Sequence, residues 1–415
     1  MLERILARGG IVVFFIMAFE IAIMISPFTF FFYSVFNPIF SWIDAIPSTR
    51  WLTHFFLPHM ILPPTLFLKA VRILGSMLFI TGALAFVVCA LQVYLGKVFR
   101  WGIASKGLYS IIRHPQYLAL SLWGIGMSIL WPRFIVLVTL SLMLVLYYYL
   151  ANDEEKRMTR RYGQAYVGYM DRTGMFLPPT IEKPIVSFFG STRFGRLRKP
   201  LVFLMVPVLV IGAGFIFRII TLNSLPMAAN SNITVVSIMP EDGALDETVI
   251  NTIKKNNIEF LLRDENYLGY VMPVDYIMQG MIANTGTEHH LWKQNQTINL
   301  IADWVLHPFE HLRRPPSDMM AKMHNVDPKV ARRHHCSLGI DQKSLDCASC
   351  PYRRVIFVEI MPGSKNPDMG KKAFAFNSIK VPVGFVDLDT KTGQIISTQR
   401  VESTTAWKNV PTPEI

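Results

Sequence analysis

Long apolar segments set the strongest limit on how this chain can fold. About 20 consecutive apolar residues can cross a bilayer as a helix. We predict five such spans, at residues 11–36, 71–95, 117–131, 134–150 and 201–220. The tight turn Trp131-Pro132-Arg133 joins the third and fourth spans into a helical hairpin. The pattern therefore predicts an α-helical integral-membrane core of about five transmembrane helices.

Two N-terminal segments need separate interpretation. Residues 51–68 are apolar but are interrupted by Pro58, Pro63 and Pro64, which favours an interfacial or re-entrant segment over a sixth span. The first apolar segment follows Arg4 and Arg8 and lacks a small-residue cleavage site. We therefore expect an uncleaved first span and not a signal peptide.

The distribution of charge predicts the orientation in the membrane. Residues 1–220 carry 21 Lys and Arg against 8 Asp and Glu, whereas the remainder is nearly neutral. The basic residues cluster at 97–106, 156–161 and 193–199, which would face the cytoplasm under the positive-inside rule. The N-terminus would then be cytoplasmic in a multi-pass protein of the inner (cytoplasmic) membrane. A sixth span would put Arg4 and Arg8 on the wrong side.

The same charge pattern indicates the partners. Basic residues that flank spans attract membrane lipid headgroups, and no basic and aromatic stripe suited to nucleic acid occurs in the second half. We divide the chain into an N-terminal span with its interfacial segment, a membrane core, a linker with the fifth helix, and an extracytoplasmic domain. Their bounds are 1–69, 70–178, 179–222 and 223–415.

The sequence of residues 223–415 predicts a smaller α+β domain. Strand-like runs occur at residues 233–239, 355–361, 381–387 and 394–402, and helical patterns at 246–262 and 289–312. The sequence Thr390-Lys391-Thr392-Gly393 is typical of a hairpin turn between the last two strands. This domain could also bind protein partners.

One cluster in that domain could carry chemistry. His334, His335 and Cys336 are followed by the pair Cys347 and Cys350. Outside the cytoplasm a disulfide that involves Cys336 is plausible. A zinc site formed by His335 and the three cysteines is the alternative, and a redox-active pair is a third reading.

Polar residues also lie at both ends of the membrane hairpin. The pattern G-x-Y-x3-R-H-P-x-Y begins at Gly107, and the pattern E-E-x7-G-x2-Y-x2-Y begins at Glu154, with F-L-P close behind at residues 176–178. Titratable residues are costly at membrane depth and are functional candidates for that reason.

These motifs, in this order and spacing, resemble the isoprenylcysteine carboxyl methyltransferase and phospholipid methyltransferase group over roughly residues 70–178. The resemblance implies an integral-membrane enzyme that uses S-adenosylmethionine. It implies catalytic roles for Arg113, His114 and Glu155. The cofactor pocket that it implies consists of Tyr109, His114, Pro115, Tyr117, Glu154, Glu155, Tyr162 and Tyr166.

The residue types suit that cofactor. A sulfonium and an ammonium call for carboxylates, a carboxylate calls for Arg or N–H donors, and an adenine calls for aromatic faces. Pro115 should bias His114 away from helix and leave backbone N–H groups free for the cofactor. Structural readings compete: Arg113 could reach headgroups, the glutamates could pair with residues 157–161, and the tyrosines could form an interfacial belt.

One position departs from the family pattern and affects the choice of substrate. The group usually carries an arginine four residues before the paired glutamates, and this chain has Leu150 there. We therefore expect a lipophilic small molecule, a lipid, or a thiol or carboxylate acceptor that enters from the bilayer, without assigning isoprenylcysteine. A non-catalytic subunit or anchor of a larger membrane complex is the alternative. A lipid reductase that uses NADPH ranks last.

Overall fold

A computed structural model describes residues 42–99, 102–190, 198–261, 265–274, 279, 282–283, 351–361 and 370–401. These residues form two compact units, one within 71–215 and the other within 42–70 and 216–401. The predicted first span, the predicted helix at 289–312 and the histidine and cysteine cluster lie outside the described residues.

Four long helices dominate the first half. They are α1 (Leu66–Val98), α2 (Pro115–Leu130), α3 (Phe134–Tyr162) and α6 (Arg198–Ser224). Among the described residues, three helical segments are long and apolar enough to cross a membrane: Leu66–Gly96, Phe134–Tyr162 and Phe203–Ser224. These helices expose large apolar side chains such as Leu84, Val88 and Leu209, as lipid-facing surfaces do. A helical membrane core is therefore supported.

The third predicted span is a shorter helix. Helix α2 has 16 residues and rises roughly 24 Å, whereas a bilayer's hydrocarbon core is about 30 Å thick. The count of five spans therefore stays a prediction.

Helices α1 and α2 pack through glycine. A Cβ added at Gly82 would lie 2.4 Å from the backbone nitrogen of Trp123, and one at Gly126 would lie 2.4 Å from that of Phe79. Small residues allow the backbones of membrane helices to come this close. Helices α1 and α2 are therefore closely packed, and they hold the two ends of the loop that joins them.

Two short helices follow the hairpin. Gly163 adopts a positive φ of 56°, a conformation that glycine accepts without steric cost, and it separates α3 from α4 (Gln164–Arg172). Helix α5 (Pro179–Gly190) contains Pro184. Helix α5 therefore lies within residues 179–222, the region that the sequence predicts as a linker with the fifth helix.

The second unit is built on one six-stranded sheet in sequential order. The strands are β1 (Met227–Asn230), β2 (Ile233–Ser237), β3 (Tyr267–Pro273), β4 (Tyr352–Met361), β5 (Ile379–Asp389) and β6 (Gln394–Arg400). Strands β2 and β3 are parallel and the other neighbouring pairs are antiparallel. Helix α7 (Asp246–Lys255) lies between β2 and β3 in the chain, as a parallel crossover requires.

The sheet buries both of its faces. One face packs α7 residues such as Val249 and Ile253 against Val235 and Phe357. The other face includes Met60 and Ile61 in its core, and the Leu62 amide donates to the Ile238 carbonyl at 2.9 Å.

Residues 51–68 form no sixth helical span, and their placement at the membrane interface stays a prediction. Beyond the short helix Arg50–Thr53, the chain is not helical until Leu66. Its apolar side chains include Phe55, Met60 and Ile61, which are almost completely buried. These side chains face protein and not lipid, because they belong to the sheet unit.

Candidate functional site

The hairpin brings the two polar motifs together. Arg113 and His114 immediately precede α2, and Glu154 and Glu155 lie near the end of α3. Arg113 Nε lies 2.6 Å from Glu155 Oε1. The His114 ring lies 3.3 Å from Glu155 through Nε2 and 3.6 Å from Glu154 through Nδ1. Residues about 40 apart in sequence thus form one cluster of two basic and two acidic groups.

The start of α2 orients His114. Pro115 is the first helical residue, and His114 is the N-cap with φ −121° and ψ 56°. Proline suits this position because the first helical N–H has no partner within the helix. The predicted break at His114 is therefore confirmed.

Two of the backbone N–H groups at this break already have protein partners. The Arg113 amide donates to the Gly174 carbonyl at 2.8 Å, and the His114 amide donates to the Met175 carbonyl at 3.1 Å. The chain after α4 returns beside this loop and accepts both hydrogen bonds. The Arg113 and His114 amides therefore tie the loop to residues 174–175.

Arg113 makes more contacts than its ion pair. Its Nη1 donates to the Met170 carbonyl at 3.0 Å and also to the Thr173 carbonyl. The Arg113 side chain is 9% exposed and that of Glu155 is 12% exposed. A guanidinium with several donors can hold a carboxylate and two carbonyls at once. Arg113 therefore joins α3 to the end of α4.

Aromatic rings extend from the charged cluster. Tyr117 stacks on His114 with a centroid distance of 5.6 Å, and Tyr147 stacks on Tyr117 at 5.2 Å. The Phe176 ring also contacts His114, and the two ring centroids are 5.9 Å apart. Tyr117 was predicted for the site, whereas Phe176 was missed, although the F-L-P motif contains it.

The other predicted tyrosines have mainly protein partners. The Tyr109 hydroxyl donates to the Cys89 carbonyl at 3.5 Å, and the Tyr169 hydroxyl donates to the Tyr109 carbonyl at 2.6 Å. Tyr166 is buried and its ring contacts that of Tyr169 at 5.7 Å. Tyr162 lies under the Arg161 guanidinium at 5.4 Å. A role for Tyr109, Tyr162 or Tyr166 in binding a cofactor stays a prediction.

Burial and nearby charges shift the pKa values of Tyr166, Tyr169 and His114. Burial raises the pKa of Tyr169 to about 12 and also raises the pKa of Tyr166, so both phenols stay neutral. Burial alone would lower the pKa of His114, but the hydrogen bonds and charges of Glu154 and Glu155 outweigh it and raise that pKa above its ordinary value. The cluster therefore favours a protonated histidine.

The access of the two glutamates differs. The side chain of Glu154 is 45% exposed, whereas that of Glu155 is 12% exposed and lies against Arg113. Glu154 thus offers a carboxylate to a ligand at the surface of the cluster. Glu155 holds the two basic residues in place.

The predicted metal site cannot be compared with this geometry. His335, Cys336, Cys347 and Cys350 lie outside the described residues. Within the described ranges, no group of three or more His, Cys, Asp or Glu residues could hold a metal ion. Zinc therefore has no structural support, and the choice between disulfide and metal stays open.

Comparison with known proteins identifies the membrane core. No curated protein and no solved structure matches the chain. Residues 70–165 match the family model described as phospholipid methyltransferase, and this range contains Arg113, His114, Glu154 and Glu155. The resemblance predicted for the membrane core is thereby confirmed over residues 70–165, which match the phospholipid methyltransferase family.

Proposed function

We propose that this chain is an integral-membrane methyltransferase that uses S-adenosylmethionine and acts on a lipophilic acceptor from the bilayer. The observation that carries the proposal is the cluster of Arg113, His114, Glu154 and Glu155, with contacts of 2.6 to 3.6 Å, inside the segment that matches the family. Titratable groups in a membrane hairpin are costly and are functional candidates for that reason.

The residues present fit the cofactor. Glu154 offers an accessible carboxylate for a positively charged group, and Glu155 adds a second negative charge behind it. Arg113 and His114 supply donors for a carboxylate, and the rings of Tyr117 and Phe176 beside His114 offer faces for an adenine or a sulfonium. Pro115, Tyr109, Tyr162 and Tyr166 complete the pocket that the resemblance implies.

The chemistry asks little of the protein beyond positioning. S-adenosylmethionine supplies an electrophilic methyl group. The chain's own residues align two substrates and exclude water, which can contribute about 7–11 kcal/mol to lowering a barrier. For a thiol or phenol acceptor, His114 in its neutral form would accept the proton. A carboxylate acceptor would need no base.

The sequence also limits the acceptor. Leu150 precedes Glu154 by one helical turn of α3 and replaces the arginine usual in the family, so an acceptor carboxylate lacks that partner. We favour a lipid or a lipophilic small molecule over a prenylated cysteine. We place the site on the cytoplasmic side of the inner membrane, in a multi-pass protein with a cytoplasmic N-terminus and an extracytoplasmic sheet domain.

Leu150 also favours a second candidate function. A methyltransferase-like core without an acceptor-binding arginine could serve as a non-catalytic subunit or anchor of a larger membrane complex. Its separate sheet unit would then bind protein partners. The two functions differ in whether the core binds the cofactor.

The deciding measurement is titration calorimetry of S-adenosylmethionine into the detergent-purified protein. We expect the wild type to bind and Glu155→Gln to bind at least about tenfold more weakly, because a charge-assisted hydrogen bond is lost from the cluster. Glu247→Gln, which removes an exposed carboxylate from α7, is the matched control and should bind normally. A folded, monodisperse wild type that does not bind would favour the anchor function.

A further inference from the structure

The loop after α4 forms one wall of the charged cluster. Its Gly174 and Met175 carbonyls accept hydrogen bonds from the Arg113 and His114 amides at 2.8 and 3.1 Å. The loop also carries Phe176, whose ring contacts His114. Any displacement of residues 174–176 therefore displaces the backbone and one ring contact of His114.

A single carboxylate holds this loop from the other side. Glu182, in the first turn of α5, accepts the Met175 amide at 2.8 Å through Oε1. Its Oε2 accepts the Phe176 and Leu177 amides at 2.9 and 3.0 Å. Three consecutive backbone donors on one carboxylate fix the turn more firmly than neutral acceptors would, because charge-assisted hydrogen bonds are the stronger ones.

The turn is also tight. A Cβ added at Gly174 would lie 1.8 Å from the Leu177 carbonyl oxygen, so the backbone folds closely on itself there. This fold brings the N–H groups of residues 175–177 close enough together to share one carboxylate. Within the described residues, the contacts of Glu182 supply the acceptors for all three amides.

We propose that Glu182 is a positioning residue of the methyltransferase site. It acts through the turn 174–177, which sets Phe176 and the Arg113 and His114 backbone in the arrangement that binds the cofactor. This inference rests on the proposed function, since it concerns the affinity of the same site. Glu182 itself contacts neither the charged cluster nor, in this proposal, the cofactor.

The test is S-adenosylmethionine affinity in full-length variants at position 182. Glu182→Gln keeps the size of the side chain but replaces one of the two accepting oxygens with a donor, and we expect affinity to fall on the order of tenfold. Glu182→Ala removes both accepting oxygens, and with them all three hydrogen bonds, and should weaken binding further. Asp171→Asn, which alters an exposed carboxylate on α4, is the control and should stay within twofold of the wild type.

Amide hydrogen exchange supplies a readout independent of the cofactor. In Glu182→Gln we expect faster exchange at residues 175–177 and at Arg113 and His114, with no change in α1. Exchange that rises throughout the membrane helices would indicate general loosening and would overturn a local positioning role.

A second variant covers the case in which Glu182→Gln does not fold. Phe176→Leu is an apolar replacement that leaves the Glu182 hydrogen bonds in place, and it should weaken cofactor affinity because the ring beside His114 is lost. Normal binding by folded Phe176→Leu, or by folded Glu182→Gln, would overturn the inference. Failure of the wild type to bind would instead reject the proposed function.

Discussion

At the scale of single residues, Arg113 shows how a predicted ligand can also be a structural tie. Its motif predicts contact with a cofactor carboxylate or with lipid headgroups. The structure gives its guanidinium an ion pair with Glu155 and carbonyl partners at Met170 and Thr173. A ligand carboxylate would therefore share this guanidinium with groups that already fix its position, which favours a preorganised site.

His114 leads to a prediction about pH. The net effect of its surroundings raises its pKa above the ordinary value of about 6.5. Its pairing with the glutamates therefore stabilises the fold fully below about pH 6.5. That contribution is lost as the pH rises through the higher folded-state pKa. We expect the stability difference between the wild type and His114→Gln to shrink above neutral pH.

Thermal unfolding of the detergent-purified proteins from pH 5.5 to 9 would measure this difference. Glu154→Gln removes one of the groups that raise the pKa, so it should move the loss of stability to lower pH. A difference that stays constant over the whole range would contradict the assignment of the pairing to His114.

Individual site residues were predictable only where the motif is local. The break at Pro115 follows from proline's own geometry. The proximity of Arg113 to Glu155 follows from the hairpin, because the two residues lie at similar distances along the chain from its turn. Phe176 and Glu182 reach the cluster through backbone contacts between residues about 60 positions apart. No local pattern specifies such contacts, so sequence reasoning missed both residues.

At the scale of elements, glycine decides how α1 and α2 pack. Gly82→Ala would place its Cβ 2.4 Å from the Trp123 nitrogen, and a backbone atom cannot swing aside as a side chain can. We expect a loss of about 1–3 kcal/mol in stability, as overpacked cores show. The thermal midpoint of the purified protein should fall by several degrees.

Gly212→Ala is the matched control in α6. Within the part of the chain that the structure describes, no atom lies within 4 Å of its added Cβ, and alanine favours helix over glycine. Its thermal midpoint should stay the same or rise. An equal loss in both variants would mean that glycine flexibility, and not close packing, accounts for the effect at Gly82.

The sequence predicts best those helices and strands whose residue patterns are long and regular. Helices α1, α3 and α6 lie where long apolar runs placed them, and β4 to β6 lie where β-branched runs placed them. Strand β1 has four residues without a β-branched side chain, and β3 contains Gly269 and ends at Pro273. Helix α5 contains Pro184. In these elements tertiary packing outweighed weak local preference.

At the scale of the whole molecule, the predicted orientation can be tested by labelling. In a variant whose four native cysteines are replaced by serine, single cysteines would stand at exposed positions 48, 160 and 391. On intact cells, we expect a membrane-impermeant maleimide to label Ser48→Cys and Lys391→Cys. Arg160→Cys should react only after the cells are opened.

Labelling of Arg160→Cys on intact cells would reverse the orientation that the basic loops predict. Labelling of only one of the other two positions would contradict the shared core of residues 60–61 and the sheet. The three positions therefore test the charge rule and the fold independently.

The burial of Met60 and Ile61 in the sheet core sets a parity rule for the membrane crossings. Helix α1 begins at Leu66, shortly after these residues, and α6 ends at Ser224, just before the first strand. If these helices cross the bilayer, the chain must cross an even number of times between Leu66 and Ser224 to return to the side of its own core. Helices α1, α3 and α6 give three crossings, so we expect α2 to be the fourth.

A crossing helix of 16 residues is shorter than an average bilayer is thick, and lipids thin around such a mismatch. If the proposed acceptor is a lipid, thinned lipid at the α2 end would bring its headgroup to His114 without drawing its tails out of the membrane.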